Sequence, residues 1–510
     1  MSIIDFSDDV LLYILKIMDN DDIFSYKDIL NFIISSNRFL NLQKKYCMKF
    51  YKDVSSKIKH PFFSYDPPSL IAKKVYVENI NDITLDMTQI KKIFINCRGQ
   101  NMLSFDNLPK NLIHLTFGDK FNQSIDNLPK NLTHLTFGDK FNQSIDNLPK
   151  NLTHLTFGDK FNQSVDNLPK NLTHLTFGDK FNQSVDNLPK NLTHLTLGYE
   201  FNQSVKKLPL SLTHLTFGDK FNQSVDNLPK NLIHLIFDEY SKFNQSVDNL
   251  PNSITHLTFG YWFDKSVDNL PNSITHLTFG SIFNQFVDKL PKKIFFLKFG
   301  DNFDRSIKNL PKNINTLILG DIFNRCIDDL PDSLTTLILG RKFNKCINKF
   351  PSSLITLIMP EYSHFNQYIK QFPINLTRLT FGNSFNQFVD NLPKNLTHLM
   401  CGNSFNQPID NLPDSLTHLT FGNSFNQSIN NLSNNLKYLT FGDNFNQPIN
   451  KFPDNLTHLT FGKNFNQSIH NLPVSLTHLI IGNAQYNSNI TLPKNSIRIK
   501  IGDMVLKFEK

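Results

Sequence analysis

The sequence predicts a β-rich solenoid, a stack of short coils joined by one parallel β-sheet and preceded by a small α-helical module. Three observations predict it. A single phrase, Asn-Leu-Pro-Lys-Asn-Leu-Thr-His-Leu-Thr-Phe-Gly-Asp-Lys-Phe-Asn-Gln-Ser, is rewritten across residues 107–495, and its Phe-Asn-Gln returns at Phe121, Phe141, Phe161, Phe181, Phe201 and Phe221. A period of about twenty residues is that of a solenoid. Each unit is too short to bury its own apolar residues, so Leu132, Leu135, Phe137, Phe141 and Ile145 can leave water only by stacking on their counterparts in the next unit. Finally, the first fifty residues carry no trace of the phrase and show helical periodicity instead.

In chain order, residues 5–18 form a capped amphipathic helix. Ser7 or Asp8 caps it, acidic residues fill its first turn, and Val10, Leu11, Ile14, Leu15 and Met18 share one face. A second helical pattern follows over residues 28–42, and the Pro-rich stretch 60–68 is a linker. Residues 74–77 and 90–95 have the pattern of degenerate first strands. The expected organisation is therefore a helical module over 1–50, a linker with capping repeats over 51–100, and the repeat solenoid over 101–510.

Within a coil, the segment from Leu132 to Phe137 is the strand, with Leu135 inward and His134 and Thr136 on the open face of the sheet. Gly138 turns the chain. Asn142 satisfies turn backbone through its amide, repeated as a ladder, and Leu148-Pro149 closes the coil where a proline nitrogen needs no partner. Roughly twenty coils at about 4.8 Å each would extend on the order of 95 Å. Two units run two residues longer, through Asp238-Glu-Tyr-Ser-Lys242 and Pro360-Glu-Tyr-Ser-His364, and both lack the turn glycine. The expected reason is that a tight turn needs the positive φ of glycine whereas a relaxed one does not.

Composition narrows the function. The 510 residues carry a net charge of +8 with only 19% charged residues, and Lys130, Lys150 and Lys170 recur close to Asp139, Asp159 and Asp179. That pattern gives a mixed-charge rim and argues against a nucleic-acid groove, the more so because most of the 48 Phe fall in core columns. With no basic start and no long apolar run, the chain is expected to be cytoplasmic, neither secreted nor membrane-bound. The Asn122-Gln-Ser124 and Asn131-Leu-Thr133 sequons are then structural columns. Five scattered cysteines, Cys47, Cys97, Cys326, Cys346 and Cys401, make no disulfide framework. Cys326 and Cys346 share one column and are expected to be a reduced, half-buried pair.

Catalysis is not expected, and neither is a cofactor. A near-identical repeat sets the same atoms at every coil, whereas an active site needs one convergence of unlike groups. All glycines but Gly99 fall in the turn column, which leaves no phosphate-binding loop. The column His134, His154, His174, His194, His214 forms a row about 4.8 Å apart on the sheet face, but parallel side chains converge poorly on a metal, so solvated or stacked imidazoles are expected.

Departures from the repeat carry more information. The histidine column becomes Phe296, Thr316, Thr336, Thr356 and Arg378, while the outward threonine column becomes Lys298, Ile318, Ile338 and Ile358. An exposed apolar stripe rimmed by Thr, Lys and Arg is the kind of surface that holds a protein partner. The alternative is neutral drift of solvent-facing positions.

Two resemblances stand beside this reading. The strand has the Leu-x-x-Leu-x-Leu spacing of leucine-rich repeats. Phe405-Asn-Gln-Pro-Ile409 and Phe445-Asn-Gln-Pro-Ile449, with Leu-Pro-x-x-Leu-x-x-Leu, resemble the FNIP repeat, a leucine-rich-repeat relative found in amoebae and the large DNA viruses that infect them. The N-terminal Phe6-Ser-x-x-Val10-Leu11-x-x-Ile14-Leu15-x-x-Met18, followed by Asp22-Ile23 and Ser36-Asn-Arg-Phe39, resembles an F-box, with Phe6 in place of its usual Leu and Ser7 in place of its Pro. Together they imply the substrate-recognition subunit of a cullin-type ubiquitin ligase. Phe6, Val10, Leu11, Ile14, Leu15, Met18 and Ile23 would meet a Skp-type adaptor, and the solenoid would hold an as yet unknown target protein. The alternative is an interaction scaffold whose helices only cap the stack.

Overall fold

The computed structural model describes residues 74–77, 91–95, 105–409, 411–429, 431–492 and 497–508. The F-box-like positions Phe6 to Ile23, with Cys47 and Cys97, lie outside the described residues. The chain divides into two compact units, one ending at Gln223 and one beginning at Ser224.

In the first unit, β1 (Lys74–Val77) and β2 (Lys92–Ile95) pair in parallel as the degenerate coils, followed by β3 (His114–Phe117), β4 (His134–Thr136), β5 (His154–Thr156), β6 (His174–Thr176), β7 (His194–Thr196) and β8 (His214–Phe217). Register is strictly column on column, with His134 opposite His154 and Leu135 opposite Leu155. Strands this short exist because their flanks are tied too. The Thr133 and His134 amides both donate to Ile113 O, and the Phe137 amide donates to Thr156 O. Leu152, Leu155, Phe157, Phe161, Val165 and Leu168 of one coil are all buried, each contributing about 1.5–3 kcal/mol that is realised only in the stack.

The second unit repeats this plan through β9 (His234–Phe237), β10 (His256–Thr258), β11 (His276–Thr278), β12 (Phe296–Lys298), β13 (Thr316–Ile318), β14 (Thr336–Ile338), β15 (Thr356–Ile358) and β16 (Arg378–Thr380). Five more strands of the same kind follow, ending in β21 (His478–Ile481) and then β22 (Ile497–Ile501). The last strand, β23 (Met504–Phe508), turns back antiparallel on β22 and ends the coil pattern. No α-helix occurs among the described residues, only a single 3-10 turn at Phe105–Asn107.

Spacing between coils widens from front to back within each unit. Imidazole centroids on the sheet face are 4.1 Å apart (His134 to His154), the inner rings 5.6 Å (Phe137 to Phe157) and the rear rings 6.1 Å (Phe141 to Phe161). The second unit gives 4.2, 5.8 and 6.1 Å at the matching positions. Coils thinner at the sheet than behind it curve each unit with the sheet inside. The phenylalanine pair within a coil fixes that thickness, since Phe137 lies flat on Phe141 at 3.8 Å.

The asparagine ladder forms as expected. Asn122 Oδ1 accepts the Asn142 amide at 2.8 Å, and Asn142 Oδ1 accepts the Asn162 amide at 2.9 Å. Because only the oxygen is needed, Asp264 stands in the ladder without loss and accepts the Asn284 amide at 2.9 Å.

The glycine column is a correction. Among the described glycines only Gly502, in the β22–β23 hairpin, has positive φ (55°). The column needs glycine for closeness instead: a Cβ on Gly158 would lie 2.4 Å from Gly138 C and O, and one on Gly320 1.8 Å from Gly300 O. The longer units have Asp238 and Pro360 at the glycine position, and there a serine supplies the acceptor for the following phenylalanine amide. Ser363 N donates to Pro360 O at 2.9 Å, and the buried Ser363 hydroxyl accepts the Phe365 amide at 3.2 Å, replacing the glycine carbonyl that accepts it elsewhere.

Candidate functional site

Two kinds of sheet face arise from one backbone. On β3–β8 the outward residues are histidine and threonine, and on β12–β15 they are mostly threonine and isoleucine.

The histidine face is a continuous stack. Rings of His114, His134, His154, His174, His194 and His214 follow one another at 4.0 to 4.2 Å, with planes within 25°. From His134 to His214 the threonine before each histidine sets its tautomer. Thr153 donates its hydroxyl hydrogen to Thr133 O at 3.1 Å and also lies 2.9 Å from His154 Nδ1. A hydroxyl has one hydrogen, so Nδ1 carries the proton and donates to Thr153 Oγ1, leaving Nε2 as the acceptor. Partial burial first, then neighbouring histidines, hold the His154 imidazole below its ordinary pKa. His134 is lowered by burial, then by His114 and Lys92. The His114, His134 and His154 rings therefore take up a proton less readily than a free imidazole. Among the described residues no three of His, Cys, Asp and Glu group so as to hold a metal ion.

On the other face, the strand register brings the singled-out residues into two unbroken rows. Lys298, Ile318, Ile338, Ile358 and Thr380 align in one, and Phe296, Thr316, Thr336, Thr356 and Arg378 in the other. Lys298 and Arg378 are exposed at opposite ends. Phe296, the three threonines and the three isoleucines are half-buried, not open as expected. Close spacing explains this: each β-branched side chain is shielded by its copies one strand away on either side.

A third row escaped the sequence reading. At the leading edge of the same strands Phe295 and Ile355 are exposed, at 49% and 42%, which broadens the apolar patch. Their signal was available, since both replace the threonine that anchors a histidine, and the histidine itself is missing at 296 and 356. Beside the isoleucine row a groove of about 680 Å³ runs from Ile358 along Thr380, Met400, Thr420 and Thr440 to Ile480, with the glycine column lining it. The isoleucine row therefore leads into a groove lined by the threonine, phenylalanine and glycine columns, with Met359 and Met400.

The rim carries ion pairs from coil to coil, including Lys220 with Glu200 at 2.6 Å, Arg325 with Asp304 at 2.8 Å and Arg341 with Asp321 at 3.1 Å. Cys326 and Cys346 are free and exposed, contrary to the half-buried pair expected; their column faces away from the core. Cys401 is buried, and burial pushes its thiol far above the usual range.

Parallel strands in strict column register, ladders of asparagine and a shared apolar interior define a leucine-rich-repeat-like solenoid of about twenty coils. More narrowly, the FNIP repeat pattern matches residues 100–302, 323–362 and 365–484, well over half of the chain, and the protein belongs to the FNIP repeat family. Residues 303–322, between two matched stretches, include β13, where the isoleucine row begins. The fold is similar to CroV588, described as a novel circular leucine-rich-repeat protein, at 43% identity over 81% of this chain and 69% of that one, with a TM-score of 0.71. It is also similar to YopM of Yersinia enterocolitica, at 17% identity over 84% and 91% of the two chains with a TM-score of 0.54. A third similarity is to a chain of the Drosophila Toll–Spatzle complex, at 14% identity over 86% and 65% with a TM-score of 0.50. The last two show the fold alone. No curated protein matches the chain.

Proposed function

We propose that this protein is a non-catalytic recognition subunit. Its sheet face over β12–β16 holds another polypeptide, and its N-terminal segment couples that cargo to a cullin-type ubiquitin ligase through a Skp-type adaptor. The observation that carries the recognition part is the row Ile318, Ile338, Ile358 in strict register, bordered by the exposed cations Lys298 and Arg378. Half-buried isoleucines beside exposed Phe295 and Ile355 form an apolar centre with a charged rim, the layout of a protein interface. The partner it fits is an apolar segment flanked by acidic residues. The ligase part is supported by the F-box-like residues Phe6, Val10, Leu11, Ile14, Leu15, Met18 and Ile23.

Co-purification from cells tests both parts separately. Ile318→Asp with Ile338→Asp should abolish partner capture while leaving the circular dichroism spectrum and the adaptor unchanged. Ile14→Lys with Met18→Lys should eliminate the adaptor and spare the partner. Capture that survives the first pair of changes overturns the face assignment. An adaptor that survives the second, or is never recovered, leaves an interaction scaffold whose N-terminal residues only close the stack.

A further inference from the structure

On the side of the second unit away from the sheet, the column held by Ser144 and Ser164 in the first unit is occupied in two successive coils by Cys326 and Cys346. Both thiols are exposed and unbridged. Their coils are clamped in register on both sides of them: Asn324 Oδ1 accepts the Asn344 amide at 3.0 Å, and Asp328 Oδ1 accepts the Asn348 amide at 2.9 Å. Underneath, the Phe323 and Phe343 rings stack 6.3 Å apart, and Ile327 and Ile347 are buried. The two cysteines thus occupy equivalent backbone positions one coil apart, with the Cys326 thiol turned to Asp328 of its own coil and the Cys346 thiol to Gln367 of the next.

Translation decides what the pair can do. A disulfide requires Cβ atoms about 3.5–4.5 Å apart, whereas two side chains related by translation keep the coil spacing out to Cβ. Closing that bond would pull the coils together against the clamps on either side. One metal ion held between two sulfurs spans about twice a metal–sulfur bond of roughly 2.3 Å, and χ1 rotation alone brings the two sulfurs to that separation. We propose that Cys326 and Cys346 form a dithiolate clamp for a single soft cation of the Cu(I) class, which prefers thiolate and accepts two ligands.

Each thiol already has an acceptor: Cys326 Sγ donates to Asp328 Oδ2 at 3.2 Å, and Cys346 Sγ to Gln367 Oε1 at 3.7 Å. Loading replaces two S–H bonds by two S–Cu bonds and releases two protons to solvent, with no change of oxidation state. The resulting complex carries one negative charge beside the Asp328 carboxylate, on a coil that also bears the exposed Lys345 and Lys349. Cys401 cannot take part because it is buried.

The test uses the full chain carrying Cys47→Ser and Cys97→Ser, titrated anaerobically with Cu(I) against a colorimetric Cu(I) chelator. One Cu(I) per chain and two protons released per ion are expected. Adding either Cys326→Ser or Cys346→Ser should take the stoichiometry to zero with an unchanged melting temperature. Uptake that persists in either variant, or failure of the parent chain to compete with the chelator, overturns the assignment. So does conversion of the pair to an intramolecular disulfide by oxidised glutathione, because the coil spacing forbids it.

Discussion

The strands His114–Phe117 to His214–Phe217 and the strands Phe296–Lys298 to Arg378–Thr380 share a backbone and differ in what they show to solvent. In the first set the histidine and threonine columns of the strands repeat, so the surface is uniform: six imidazoles stacked at about 4 Å, all but His114 oriented by a threonine. In the second the columns vary from coil to coil and produce one local patch. The comparison teaches that the interior columns determine the stack while the outward columns are free to differ, and the proposed partner would be read where they do.

The strongest test of that separation acts on the interior. Gly320→Ala should be severely destabilising, because its Cβ would meet Gly300 O at 1.8 Å. Overpacking of this kind costs about 1–3 kcal/mol or more, readable as a lower urea midpoint and as faster hydrogen exchange in β12–β14. Ile338→Thr, which restores the residue found in the histidine coils, should change stability by less than about 0.5 kcal/mol yet weaken partner capture. Equal stability losses from the two variants would erase the distinction between interior and face.

Acid separates the two faces next. The His114, His134 and His154 pKa values are lowered in the fold, so the unfolded chain binds protons first as pH falls through about 6.5. The stabilising contribution of neutral rings is complete above that value and is lost as pH falls toward the folded pKa values. Protection factors, taken relative to the intrinsic amide exchange rate at each pH, should therefore fall in β3–β5 between pH 7 and pH 5, while those of the threonine and isoleucine strands β13–β15 hold. Uniform behaviour in both would show that ring stacking does not govern the response.

The smallest expected effect concerns a single tautomer. Thr153→Val removes both the hydroxyl that donates to Thr133 O and the acceptor for His154 Nδ1–H, at about 1 kcal/mol. The nitrogen chemical shifts of His154 should then move toward the other tautomer, and those of His194 should not.

Much of this molecule was legible from its period. Strand positions, inward Leu135 and Phe137, the asparagine ladder, the degenerate strands at 74–77 and 92–95 and the stacked histidines all follow from a twenty-residue repeat that must pack on itself. What was misread depended on distances between coils. The glycine column marks an approach of two backbones, which a sequence records only as a missing side chain, and φ was the wrong cause. The half-burial of Ile318 and Ile338 likewise comes from neighbours one coil away, and the exposure of Cys326 and Cys346 from the direction of their column. The reversal into β23 had a visible signal, Gly502-Asp503 between two alternating runs, that the repeat pattern obscured.

The central claim is that recognition resides where the outward columns depart from the repeat. Hydrogen exchange of the purified protein, alone and bound to its captured partner, tests it most directly. Protection on binding should concentrate in β12–β16 and leave β3–β8 unchanged, whereas protection spread over the histidine strands, or absent from β12–β16, would contradict it.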